Sequence, residues 1–344
     1  MVNKNFLEIL NIQSVSGDTE AMVEYLFDKC IEREYEVEYS DGNLYVTKGI
    51  SPDGKYPCIV SHTDTVHKII PQKDYMVIHD ENVIMAYDLS KMALTGIGGD
   101  DKVGIYICMQ MLETLDYCKV AFFRDEEIGC HGSMLANMDF FTDVRFVLQC
   151  DRKGNNDFVY NIFGTDLYGE DFFNDIAPII DTYGYAESTG GLTDVYQLAE
   201  NGVGVAVANM SCGYYNPHMD DEMININDVE NCLNMVYTIM SNCTNVYEHK
   251  IVKKEYTYYK PSKKKYDYNS TFNGFTDYYT PKETNMNDDK WDGWSYDGKK
   301  YSKSYSEEVG ECWHCGTETL EASLTRDGLC SYCKTYHQDC SVPF

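Results

Sequence analysis

The sequence predicts an α/β fold: a mainly parallel mixed sheet sandwiched by helices. Three observations point there. Short apolar runs alternate with longer helical patterns through residues 1–246. Several runs, such as "YPCIVSH", "KVAFFRD" and "RFVLQCD", are apolar at consecutive positions, as strands covered on both faces are. A single stretch, "DYMVIHDENVIMAYD", reads as a hairpin, turning at Asp80-Glu81-Asn82.

The elements follow in order. "GDTEAMVEYLFDKCIERE" carries apolar residues at Met22, Val23, Leu26, Phe27, Cys30 and Ile31, a helical stripe behind a cap-like Ser16 or Asp18. The strand "YPCIVSH" and the hairpin come next. "KVGIYICMQMLETL" reads as a helix that runs at once into "KVAFFRD". "RFVLQCD", the helix within "DLYGEDFFNDIAPIIDTYG" and the strand "GVGVAVANM" precede a last amphipathic helix, "INDVENCLNMVYTIMSNC", with Asp228 near its start. Residues 247–308 change character. They hold eleven tyrosines, 12 Lys and 11 Asp+Glu with few aliphatic residues, and read as a linker.

The 344 residues carry a formal net charge of −28, unevenly spread. Residues 1–246 hold 14 Lys+Arg against 40 Asp+Glu, and residues 247–344 hold 14 against 16. So acidic a front domain repels phosphate backbones, which argues against a nucleic-acid partner there. No apolar run reaches the ~18 residues of a membrane span. "MVNKNFLEIL" lacks the apolar core of a signal peptide, so a cytoplasmic location is expected. Nine cysteines are scattered through the front domain and read as small buried hydrophobes.

In open α/β sheets, ligands sit beyond the C-terminal ends of the strands. "CIVSHTDTV" delivers His62 and Asp64 there, "TGIGGDDKVG" Asp100 and Asp101, and "VAFFRDEEIG" Glu126 and Glu127. "FVLQCDRKG" delivers Asp151, and "VAVANMSCGYYNPHMDDE" delivers His218. Two imidazoles with several carboxylates are a zinc-type donor set, too large for one tetrahedral ion and suited to two ions about 3.5–4 Å apart. Such chemistry needs one further carboxylate outside the ligand set to carry a proton. Adjacent residues on an extended chain point to opposite sides, so Glu126 and Glu127 divide the two roles, one coordinating metal and the other facing the substrate as general base. The i, i+2 spacing of His62 and Asp64 lets the acid hold the imidazole in its ligating tautomer.

"HTDTV", "GGDDKVG", "RDEEIG", "LQCDRKG" and "GGLTDVYQLAENGVGVAVANMSCGYYNPHMDDE", in that order, resemble the co-catalytic di-zinc exopeptidases. That clan includes peptidase T, carboxypeptidase G, and the leucyl, glutamyl and deblocking aminopeptidases. The resemblance covers roughly residues 1–246. It implies that His62 binds one zinc and is oriented by Asp64, that Asp100 bridges both ions, and that Glu126 is the general base. It also implies that Glu127 shares an ion with His218 and that Asp151 completes the site of His62. Leu192 interrupts the expected Gly-Thr-Asp turn, so Thr193 and Asp194 receive no role. Sixty-six residues separate Asp151 from His218, too few for the inserted lid domain of some members. His67, His79, His131 and His249 match no motif, and Asp125, Asp220, Asp221 and Glu222 read as local or solvated acids.

The expected activity is that of an aminopeptidase acting on peptides. An amidase acting on N-acyl amino acids is the alternative within enzymes, and an inactive metal-binding scaffold is the alternative outside them. In the tail, Cys312-x2-Cys315 and Cys330-x2-Cys333 stand fourteen residues apart, a structural-zinc pattern resembling a zinc ribbon over 309–344. A protein partner is a candidate for that ribbon.

Overall fold

The computed structural model describes residues 3–251, together with four short strands further on. The chain divides into two compact units, residues 1–259 and 260–344. In the second, Asp292–Trp294 pairs with Lys300–Ser302 and Val309–Glu311 with Glu318–Leu320, both antiparallel. Cys312, Cys315, Cys330 and Cys333 lie outside the described residues.

The first unit opens with helices α1 (Lys4–Asn11) and α2 (Glu20–Glu32) and strands β1 (Glu36–Ser40), β2 (Asn43–Lys48) and β3 (Tyr56–His62). A hairpin of β4 (Tyr75–Asp80) and β5 (Val83–Asp88) follows, then β6 (Ala93–Thr95), α3 (Gly99–Thr114), β7 (Cys118–Phe123), the short α4 (His131–Met134) and β8 (Val144–Gln149). Next come β9 (Asp157–Ile162), β10 (Thr165–Asp166), α5 (Glu170–Thr182), β11 (Ala186–Gly190) and α6 (Asp194–Glu200). The unit ends with β12 (Val207–Met210), β13 (Tyr214–Tyr215), β14 (Met223–Asn225) and α7 (Ile226–Asn242).

Nine strands form the main sheet in the order β1-β2-β7-β3-β8-β12-β9-β10, with β11 also on β9. Its centre is parallel: β3 lies between β7 and β8, and β12 extends β8. The flanks are antiparallel, β1 and β2 on one side and β12 against β9 on the other. Every residue of β7 and β8, and all of β3 after Tyr56, is buried. That explains the unbroken apolar runs, because helices cover both faces. Helices α3 and α7 pack on each other and on β3, while α6 packs on α4, β3 and β8. Residues between Asp151 and His218 build β9 to β12, α5, α6 and β13, with no separate lid. A second sheet, β13-β14-β5-β4 with β6 on β5, contains the expected hairpin.

Two local expectations change. Helix α2 begins after Thr19 with no side-chain cap. Ser16 does not cap it, because its hydroxyl donates to Asp64 Oδ2 at 2.7 Å. Phe27 and Ile31 on the expected apolar stripe are 39% and 50% exposed, so only Met22, Leu26 and Cys30 reach the core. The first unit also runs past residue 246: Tyr247 is buried and His249 donates its backbone N–H to Gly204 O.

Candidate metal centre

Strands β7, β3, β8 and β12 are neighbours and run parallel, so their C-terminal ends open at one edge of the sheet. His62 is the last residue of β3, Asp151 follows β8, and Glu126 and Glu127 follow β7. His218 arrives from β12 by way of β13. Asp100 stands in the first turn of α3, where Asp100 and Asp101 depart from helical dihedrals and the peptide between them is cis. Gly98, at φ 68°, leads into this turn, and a Cβ there would meet Thr65 Cγ2 at 2.7 Å.

These side chains converge. Asp100 Oδ1 lies 3.3 Å from His62 Nε2, and Asp100 Oδ2 lies 3.3 Å from His218 Nε2. Asp151 Oδ1 is 3.6 Å from His62 Nε2, and Glu127 Oε2 is 3.1 Å from His218 Nε2. One carboxylate thus stands between two imidazoles, each with an acid of its own. Ligand atoms of His62, Asp100 and Glu127 lie within 4.8 Å of one another, as do those of His62, Asp101 and Asp151. Asp101 is the weaker candidate of the two acids. Its Oδ2 accepts from the Ser61 hydroxyl at 2.6 Å and its Oδ1 from Gly104 N at 3.0 Å, and it is fully buried.

Asp64 braces the cluster. His62 Nδ1 lies 2.9 Å from the Asp64 carbonyl oxygen, which can only accept. Nδ1 therefore carries a proton, and Nε2 is the nitrogen that faces Asp100 and Asp151 and is left for a metal. The Asp64 carboxylate also accepts the backbone N–H groups of Glu126 (2.9 Å) and Glu127 (3.3 Å), tying the loop after β7 to the end of β3. Strand alternation is not what separates the two glutamates, since β7 ends at Phe123. A turn does it: Glu126 O accepts the N–H groups of Gly129 and Cys130, and only Glu127 reaches His218. The Glu126 carboxylate instead takes the Cys130 thiol at 3.5 Å and lines the cleft. Asp125 points elsewhere, pairing with Arg124 and accepting Gly17 N.

The electrostatics show what such a cluster lacks. Burial and the Asp151 charge push Glu126 up to about 9, while burial and the Asp100 charge push Glu127 up to about 8. Burial opposes charging His62, yet Asp100, Asp151 and Asp64 hold its pKa well above the usual imidazole value. Four carboxylates around two imidazoles are short of positive charge. Glu127 Oε1 is moreover buried with no hydrogen-bond partner. A buried carboxyl oxygen without a partner, in a cluster of nitrogen and oxygen donors whose acids resist ionising without added positive charge, fits divalent cations, and these residues could hold them.

Several supporting residues escape the sequence reading. Thr193 Oγ1 donates to Asp151 Oδ2 and Gln149 Oε1, both at 2.8 Å. Asp194, fully buried, accepts from Ser133 Oγ at 2.6 Å and Gln149 Nε2 at 3.2 Å. Tyr214 Oη donates to Asp151 Oδ1 at 3.3 Å. Glu222 is neither local nor solvated: fully buried, it accepts the N–H groups of Gly98 (2.7 Å) and Asp100 (3.1 Å) and pairs with His67 Nε2 at 2.8 Å. Its partners lie far away in the sequence, so no local pattern could reveal them. Thr193 and Asp194 did stand in a recognisable turn, and the bulk of Leu192 obscured it.

No family profile matches the chain, and no curated protein matches it in sequence. Solved structures do share its architecture. Aminopeptidase PepT from Bacillus cereus is similar at TM-score 0.59 and 13% identity, over 69% of this chain and 96% of that one. The fold is a zinc exopeptidase-like fold. A tripeptidase from Staphylococcus aureus shares it at TM-score 0.54 and 14% identity, over 68% of this chain and 95% of that one. An aminopeptidase from the archaeon Desulfurococcus kamchatkensis does so at TM-score 0.53 and 14% identity, over 69% and 94%. Among the described residues, no helix is long and apolar enough to cross a membrane.

Proposed function

We propose that this chain is a zinc-dependent exopeptidase, an aminopeptidase hydrolysing peptide bonds. The supporting observation is the placement of Asp100, with one oxygen toward His62 and the other toward His218. In this reading His62 and Asp151 would hold one ion, Glu127 and His218 would hold the other, and Asp100 would serve both. Two such ions polarise a carbonyl and activate water at neutral pH. The likeness to aminopeptidases and a tripeptidase supports peptides as the substrate class.

The protein's own groups do the rest. Asp64 keeps His62 in its ligating tautomer. Glu126 borders a cleft of about 300 Å³ and pairs with neither imidazole, which leaves it free to take a proton from water and pass it to the leaving amine. Glu126→Gln should retain both ions and lower kcat by about 10³-fold. Undiminished turnover in that variant would remove Glu126 from the mechanism. A structural zinc on Cys312, Cys315, Cys330 and Cys333 belongs to the same proposal. Cys312→Ser/Cys330→Ser should lower the zinc content by one ion per chain.

A further inference from the structure

The cleft beside the metal centre has three kinds of wall. The metal-ligating acids and His218 form one. Val159, Ile162, Leu192 and Pro217 form an apolar one. Arg152 and Lys153 form the third, and among the described residues they are the only Arg and Lys bordering the cleft. Their presence is notable in a region, residues 1–246, with 14 basic residues against 40 acidic ones. Such a surface repels anions, so an anionic ligand can be held only where cations lie within about a Debye length, ~8 Å at physiological ionic strength.

These two cations sit on a pinned loop. Cys212 N donates to Arg152 O, Ser211 Oγ donates to Lys153 O at 2.8 Å, and Gly154 N donates to Tyr214 O. Asp157 takes the Nε–H of Arg152 at 2.7 Å. That contact orients the guanidinium and leaves its terminal amino groups free of any hydrogen bond shown among the described residues. A planar guanidinium held at one edge presents a fork suited to a carboxylate, and the exposed Lys153 adds a second cation.

Resting on the exopeptidase reading, we infer that Arg152 and Lys153 form a subsite for a substrate carboxylate. The favoured substrates are then small, anionic and partly apolar. They are short peptides, or N-acyl amino acids, whose carboxylate lies near the bond to be cut. The carboxylate has two possible sources, a free C-terminus or an acidic side chain.

The test compares matched pairs with the zinc-loaded full chain. Leu-Leu against Leu-Leu-amide probes the C-terminus, and Leu-Glu-amide against Leu-Gln-amide probes a side chain. In at least one pair, kcat/KM should favour the charged member by tenfold or more, and that pair identifies the source. The preference should shrink in Lys153→Gln, which spares the Asp157 contact, and fall to about one in Arg152→Gln/Lys153→Gln. Ratios near one in the wild type, or a preference that survives both substitutions, would overturn the subsite. Calorimetry on Glu126→Gln, with N-acetyl-leucine against N-acetyl-leucinamide and the α-monoamide of N-acetyl-glutamate, its side-chain carboxylate free, against the neutral N-acetyl-glutamine amide, separates the two readings. If no peptide is cut yet acid-selective binding persists and depends on Arg152 and Lys153, the exopeptidase reading fails and the subsite stands. If peptides are cut but no acid selectivity appears in binding or turnover, the reverse holds.

Discussion

The two imidazoles of the candidate metal centre live in unlike surroundings. His62 is wholly buried, its Nδ1 is fixed by Asp64, and its companion Asp151 receives hydrogen bonds from Thr193, Gln149 and Tyr214. The His218 side chain is 48% exposed, and its companion Glu127 keeps one oxygen without a partner. One half is braced by three strands and a helix turn; the other hangs on a loop open to the cleft. A ligand set oriented in advance loses little freedom on binding a metal, whereas a mobile one loses more. The braced half should therefore hold its ion more tightly, and the open half should be the one that exchanges.

The largest expected effect separates the halves directly. Zinc titration of the metal-free Cys312→Ser/Cys330→Ser protein, which lacks the tail's zinc ligands, should show two steps; His62→Ala in that background should remove the tighter and His218→Ala the weaker. Loss of the same step in both variants would end the distinction. Next, Asp64→Asn should weaken the tighter step by about 10–100-fold and spare the other. Equal weakening of both would mean that Asp64 acts through the loop carrying Glu127 and not through the His62 tautomer.

Glu222→Gln sharpens the view from behind Asp100. A glutamine has one acceptor where the carboxylate now receives two N–H groups and His67, so one buried donor is left unpaired. Denaturant unfolding should show a loss of about 1–3 kcal/mol. Zinc should restore part of it if the loop of Asp100 is what loosens.

The smallest effect is electrostatic. Without metal, Glu127 is pushed up to about 8 and Glu126 to about 9, above the ordinary glutamate value. Between about pH 4.5 and 8 the native state then binds more protons than the unfolded chain, so stability falls as pH rises. His218, raised to about 9 by its hydrogen bond to Asp100, acts in the same direction: its contribution is complete below about pH 6.5 and is lost as pH rises through 9. The melting temperature of the metal-free protein should drop by about 5 °C between pH 5.5 and 8. Added zinc should cancel most of the drop. A flat profile would show that the carboxylates relax apart without metal.

Much of this was legible in the chain. The apolar runs of β3, β7 and β8 follow from a sheet covered on both faces, and a strand ending in His62 or followed by Asp151 is visible as a string of letters. The residues that support the cluster were not. Glu222 reaches Gly98 and Asp100 across more than 120 positions, and Asp194 reaches Ser133 across 61. Hydrogen bonds between distant segments leave no periodic trace, so nothing local distinguishes Glu222 from Asp220 or Asp221. The α2 start misled for the opposite reason: Ser16 has a good capping side chain, but Asp64 engages it.

By itself, the sequence determined which chemical groups stand at which strand ends, because burial on both faces writes unbroken apolar runs and sheet topology places their ends together. Only the tertiary structure decided how those groups divide. The turn after β7 directs Glu127 to His218 and leaves Glu126 at the cleft, the twin oxygens of Asp100 meet two different imidazoles, and Asp101 is consumed by Ser61 and Gly104. Those assignments depend on angles and distances of a few ångströms between segments remote in the chain, and adjacent letters such as Asp100 and Asp101 or Glu126 and Glu127 acquire different surroundings only once the sheet has assembled.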